Sequence, residues 1–170
     1  TKKDKGLLDI CKVNTEFVLK NEKKDFDIDY KIEAVKKELN IEKEIERIES
    51  YDISHHSGTN ALAGCVVYTK EGKSKDLYRS YNISKENSGN DIGSMIELID
   101  RRFSSKKRFN IPSLVIIDGG RTHLNAVLSR FIENGISDIK IISISKGIRR
   151  KSSFDSIHLA GGESMIVKED

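Results

Sequence analysis

Apolar side chains along the chain fall into two rhythms. Ile28, Ile32, Val35 and Leu39 recur at three- and four-residue steps, the spacing of one helical face. An earlier run, Gly6 to Leu19, is compatible with another helix, and the charged stretch Asn21 to Asp29 between them reads as a solvated connector. From Ile45 the texture becomes strand-like. Ile48 to Ser54, Leu62 to Thr69 and Asp76 to Ile83 predict three strands, with Glu71-Gly72-Lys73 turning between the last two, an antiparallel meander. In the third strand Leu77, Arg79, Tyr81 and Ile83 alternate with Tyr78, Ser80 and Asn82, so one face is expected to be buried.

The period then switches. Ile92, Met95, Ile96, Ile99 and Phe103 draw one stripe on a helix, with Ser88-Gly89-Asn90-Asp91 as its capping stretch. Leu114 to Ile117 is a short, wholly apolar strand ended by Asp118-Gly119-Gly120. A helix follows, with Leu124, Val127, Leu128 and Phe131 on one face and Gly135 closing it, and Ile139 to Ser145 is expected to be the last strand. Three antiparallel strands followed by helical crossovers require a mixed five-stranded sheet in an α/β domain whose inner strands are covered on both faces. The predicted division is a helical lead-in over 1–44 and an α/β domain over 45–170.

Composition narrows the function classes. At 170 residues and 36% hydrophobic, the chain has material for about one core. Charged residues make up 34%, but the net charge is only +3, which excludes a histone-like polycation and leaves any nucleic-acid contact to local patches. The longest apolar run is four residues, Leu114 to Ile117, far short of the roughly 20 that span a bilayer. Cys11 and Cys65 lack a CxxC partner and suit reduced thiols, so a cytoplasmic location is expected. The chain does not begin with Met and is expected to be part of something longer.

Three acids stand where this topology could bring them together: Asp52 on the first strand, Asp91 at the start of the first crossover helix, and Asp118 at the carboxyl end of the apolar strand. Carboxylates gathered in a partly dry cleft repel one another and need protons or divalent cations as compensation. All-oxygen donors favour Mg2+, with Mn2+ as a substitute, over zinc, and such ions can hold a phosphodiester for hydrolysis. Other roles stay open for these residues. Asp91 beside Asn90 also suits a capping acid, and Asp118 with its two glycines also suits a turn or an anion-cradling helix start. The patterns of nucleotide-binding loops, zinc sites and serine-nucleophile elbows are missing from the sequence.

Two basic clusters offer a footprint for a phosphate backbone. Arg101, Arg102, Lys106, Lys107 and Arg108 lie at the end of the first crossover helix and beyond it, and Lys146, Arg149, Arg150 and Lys151 follow the fifth strand. His55 is read as a substrate contact or a support for the acids, and His158 as structural or exposed.

These strings together resemble a known family. Ile48-Glu-Ser-Tyr-Asp52-Ile-Ser-His55, the Gly58 to Tyr68 segment, Tyr81-Asn-Ile, Asn90-Asp91, Ile117-Asp118-Gly-Gly-Arg121 with Leu124-Asn125-Ala126, and Ser145-Lys146-Gly147 are similar, in this order, to the C-terminal endonuclease region of UvrC. The resemblance implies a ribonuclease H-like fold and a Mg2+-dependent cut in damaged double-stranded DNA, on the 5′ side of the lesion, during nucleotide excision repair. It implies catalytic and metal-holding roles for Asp52, Asp91 and Asp118, adds Arg121 to the DNA contacts, and names UvrB, with UvrA upstream, as partners. The family pattern also has a catalytic histidine in a later His-Arg-Phe segment that does not occur before Asp170, so an incomplete site and weak or absent activity are expected of this chain alone. A non-catalytic DNA-binding scaffold, and a ribonuclease H or junction resolvase, are the alternatives.

Overall fold

The structure is a computed structural model that describes residues 28–56, 60–104, 110–146 and 155–166. The chain divides into two compact units, Thr1–Glu42 with Lys70–Gly72, and Lys43–Thr69 with Lys73–Asp170. In the first, helix α1 is described over 28–38. It ends in a Schellman motif, with Ile41 N–H donating to the Lys36 carbonyl, Asn40 N–H to that of Lys37, and Asn40 in the left-handed region at φ 49°. Asp29, placed in the connector by its charge, is helical. The proposed helix over 6–19 lies outside the described residues.

The strands, which apart from Gly72 belong to the second unit, are β1 (Arg47–His56), β2 (Asn60–Thr69), β3 (Gly72–Lys73), β4 (Arg79–Asn82), β5 (Leu114–Asp118), β6 (Lys140–Ser145), β7 (Ser156–Leu159) and β8 (Ser164–Ile166). Two helices accompany them, α2 (Asp91–Phe103) and α3 (Arg121–Glu133). The sheet order is β3-β2-β1-β5-β6-β7-β8, with β4 also beside β2. Strands β1, β2 and β4 form the expected antiparallel meander, and β5 and β6 run parallel to β1.

The sheet differs from the expectation in extent. Among the described residues it has eight strands rather than five: β7 and β8 continue antiparallel beyond β6, and the two-residue β3 lies beside β2. The segment expected as one strand over Asp76 to Ile83 is split, with a 3-10 turn at Lys75–Leu77 ahead of β4. Only Tyr81 of the four β4 residues is partly buried.

Alternation along β1 separates two faces. Tyr51 is fully buried and shares one core with Ala63, Cys65 and Val67 of β2, Val115 and Ile117 of β5, and Ile141 of β6. Helices α2 and α3 cover this face with Met95, Leu98, Ile99 and Phe103 and with Leu124, Val127 and Phe131, and the Phe103 and Phe131 rings meet at 4.8 Å. Asn90 caps α2 as expected, its side chain accepting from Gly93 N–H. The buried stripe of α2 is rotated from the expected one. It includes Leu98 and Arg102, while Ile92 and Ile96 are only partly buried.

Candidate active site

β1 and β5 are paired in parallel from Ile48 with Leu114 to Tyr51 with Ile117. One residue further along each strand stand Asp52 and Asp118, at the same level and on the same face, opposite to the face of Tyr51. Neighbouring strands lie about 4.8 Å apart, so the two carboxylates share one site. Gly64 of β2 is the cross-strand partner of Asp52 and puts no side chain beside it. Ser54 Oγ, two residues on and on the same face, donates to Asp52 Oδ2 at 3.0 Å.

The countercharge is Lys146, just past β6, whose Nζ donates to Asp118 Oδ2 at 3.0 Å. The Asp118 carboxylate raises the Lys146 ammonium above its ordinary range, and Asp52 and Asp155 add to this. The site is open rather than dry: Asp52 is exposed and the Asp118 side chain is 38% exposed.

Asp91 does not join the other two acids. Its Oδ1 meets His55 Nε2 at 2.5 Å, and His55 lies on the opposite face of β1 from Asp52. Among the described residues no three His, Cys, Asp or Glu side chains gather closely enough to hold a metal ion. In this arrangement Asp52 and Asp118 stand on adjacent strands and Asp91 pairs with His55.

The turn after Asp118 depends on glycine. A Cβ at Gly119 would come within 2.7 Å of the His123 ring, so the first turn of α3 closes down on this position only because it has no side chain. Gly119 N–H also donates to the Ile144 carbonyl, fixing the end of β5 against β6.

The expected basic contacts have different fates. Arg102 differs from the expectation of an exposed basic cluster: it is buried, and its Nε and Nη2 donate to Glu49 at 2.9 and 2.8 Å. Arg101 is exposed, donates to the Asn82 carbonyl and stacks over Tyr81. Arg121 Nη2 donates to the Glu163 carbonyl and to Ser164 Oγ, tying the start of α3 to β8. His158 is structural, bridging Ser145 of β6 and Ser164 of β8. Lys106, Lys107, Arg108, Arg149, Arg150 and Lys151 lie outside the described residues.

Sequence reasoning missed Glu49. It is fully buried on β1 and accepts from Tyr51 Oη, Arg47 and Arg102. Burial alone would raise its carboxyl, but these hydrogen bonds and the Arg102 charge outweigh that and hold it below the usual range. A charged residue at an inward position of an alternating strand was the available signal.

A family model described as the UvrC RNase H endonuclease domain matches residues 36–170. The chain belongs to the UvrC RNase H endonuclease domain family. UvrABC system protein C of Francisella tularensis subsp. tularensis (strain WY96-3418) is 39% identical over 130 residues, 75% of this chain and 21% of that protein. The counterpart from Francisella philomiragia subsp. philomiragia is 38% identical over the same shares. The chain thus spans about a fifth of the length of the UvrC relatives it matches. Among solved structures, Ciona intestinalis endonuclease V in complex with an inosine-containing DNA is similar at 13% identity and a TM-score of 0.44, over 62% of this chain and 48% of that one. The ribonuclease H-like fold expected of a UvrC endonuclease domain agrees with the strand order found here. No helix among the described residues is long and apolar enough to cross a membrane.

Proposed function

We propose that this chain is a divalent-metal-dependent endonuclease domain of nucleotide excision repair, cutting the damaged strand of duplex DNA 5′ to the lesion, with UvrB and, upstream, UvrA as partners. The observation that carries the reading is the placement of Asp52 and Asp118 at one level of adjacent parallel strands. Two accessible carboxylates side by side form an all-oxygen donor set that suits Mg2+ or Mn2+. Their present countercharge is an exposed lysine, which a divalent ion can replace without leaving a buried charge behind.

Asp52 and Asp118 would hold the ion. When bound, it supplies Lewis-acid activation of a phosphodiester and of water. Ser54 orients Asp52 through its hydrogen bond, and Lys146, at the rim, offers positive charge to a phosphate oxygen. Asp91 orients His55 on the other side of β1.

One observation favours a second reading, a non-catalytic DNA-binding scaffold: three metal-ligating side chains do not converge among the described residues. Titration calorimetry with Mn2+ separates the two. Saturable binding that is lost in Asp118→Asn supports the endonuclease. No Mn2+ binding, with tighter duplex binding by Asp118→Asn than by the wild type, supports the scaffold.

A further inference from the structure

We propose that a cavity of about 350 Å3, lined by Arg47, Arg79, Arg102, Tyr81, Leu77 and Cys65, binds a phosphate monoester of mononucleotide size. Cys65 is the cross-strand partner of Tyr51, whose side chain lies on the face of β1 opposite to Asp52, so the cavity and the acid pair are on opposite faces of the sheet.

Charge is the first argument. Arg47 and Arg102 both donate to Glu49, whose Oε2 also accepts from Tyr51 Oη. Arg79 adds a third guanidinium, and its Nη1 donates to the backbone carbonyls of Asp76 and Tyr78. Among the described residues lining the cavity, three are arginines and none is acidic, and two of the three share the Glu49 carboxylate, an excess of two positive charges. Neutralising Glu49 does not require Arg79. Cys65 supplies no opposing charge, because burial and the Glu49 carboxylate push its thiol up to about 12.

Shape and lining narrow the ligand. Arginine forks match phosphate oxygens in a two-point geometry, and an excess of two charges matches a dianionic monoester better than a monoanionic diester. Tyr81 and Leu77 provide a ring face and an apolar wall of the kind a nucleobase uses. The volume is at the small end of the range for small-molecule sites, about 300–1,000 Å3. The walls include Cys65, 3% exposed, and Arg102, so a phosphate must enter a recess. A terminal phosphate can do this, whereas an internal one is flanked by sugars on both sides. A free nucleotide and a phosphorylated strand end share this chemistry.

The test is titration of the 170-residue chain in EDTA, which keeps it independent of any divalent ion at Asp52 and Asp118. The probes are inorganic phosphate, deoxyadenosine monophosphate, and a short oligonucleotide with a 5′-phosphate or a 5′-hydroxyl, read by amide chemical shifts. Saturable binding of the monophosphate is expected, at least tenfold weaker in Arg79→Gln and within twofold of wild type in Asp118→Asn. Arg79 is exposed and outside the Glu49 cluster, so the variant should fold, and Tyr81→Leu should weaken the monophosphate more than inorganic phosphate. Binding of the 5′-phosphorylated oligonucleotide with the same Arg79 dependence supports the site with a strand end as source, and binding of the mononucleotide alone supports it with a free nucleotide. Absence of saturable binding by any phosphate monoester, or binding that survives Arg79→Gln, overturns the proposal.

Discussion

The ammonium of Lys146 lies 3.0 Å from Asp118 Oδ2, so the acid that ends β5 faces Asp52 with a countercharge already beside it. A divalent ion binding to these acids must compete with that ammonium. Lys146→Gln is therefore expected to raise Mn2+ affinity a few-fold, the scale of an exposed ion pair. Calorimetry checks this, and an unchanged or lower affinity would show that Lys146 does not compete for the site.

Asp91 meets His55 on the face of β1 away from Asp52. Asp91→Asn should leave Mn2+ affinity within twofold of wild type. Loss of an acid from the first turn of α2 should lower stability by about 0.3–1 kcal/mol, measured by urea unfolding. A tenfold loss of Mn2+ affinity would return Asp91 to the metal-holding set.

Glu49→Gln leaves Arg102 buried without its anion and should destabilise the fold by about 3–5 kcal/mol in denaturant titration. The folded-state carboxyl of Glu49 is held below its ordinary value of 4.5. Its contribution is therefore complete above that value and is lost as pH falls through the lower folded value. Wild-type stability should drop steeply with acid below about pH 4.5, and Glu49→Gln should flatten that slope.

Gly119→Ala places a methyl group against the His123 ring. The expected cost is about 1–3 kcal/mol, the scale of overpacking, with a displaced Asp118 and weaker Mn2+ binding. A melting temperature unchanged from wild type would show that His123 moves aside freely.

Much of the architecture was legible because it is written in local periodicity. The α3 stripe, the apolar β5 and the Asn90 cap all follow from spacing within a few residues. What escaped depends on distant partners. Arg102 reads as part of a basic cluster until Glu49, 53 residues earlier, is seen to hold it. Strands β7 and β8 are four and three residues long, too short to show a pattern, and they are held by His158 and Arg121. At the site, element order suggests that Asp52 and Asp118 are neighbours, and the parallel pairing of their strands makes them so. Order alone could not show that alternation turns His55, and with it Asp91, to the other side.

The Glu49 cluster also governs how β1 is threaded. A shift of the strand by one position would carry Glu49 out to solvent, strand the Arg102 charge in the interior, and turn Asp52 inward among apolar neighbours. Misthreaded forms are thus penalised at two positions three residues apart, and the ionic lock at Glu49 keeps Asp52 facing outward.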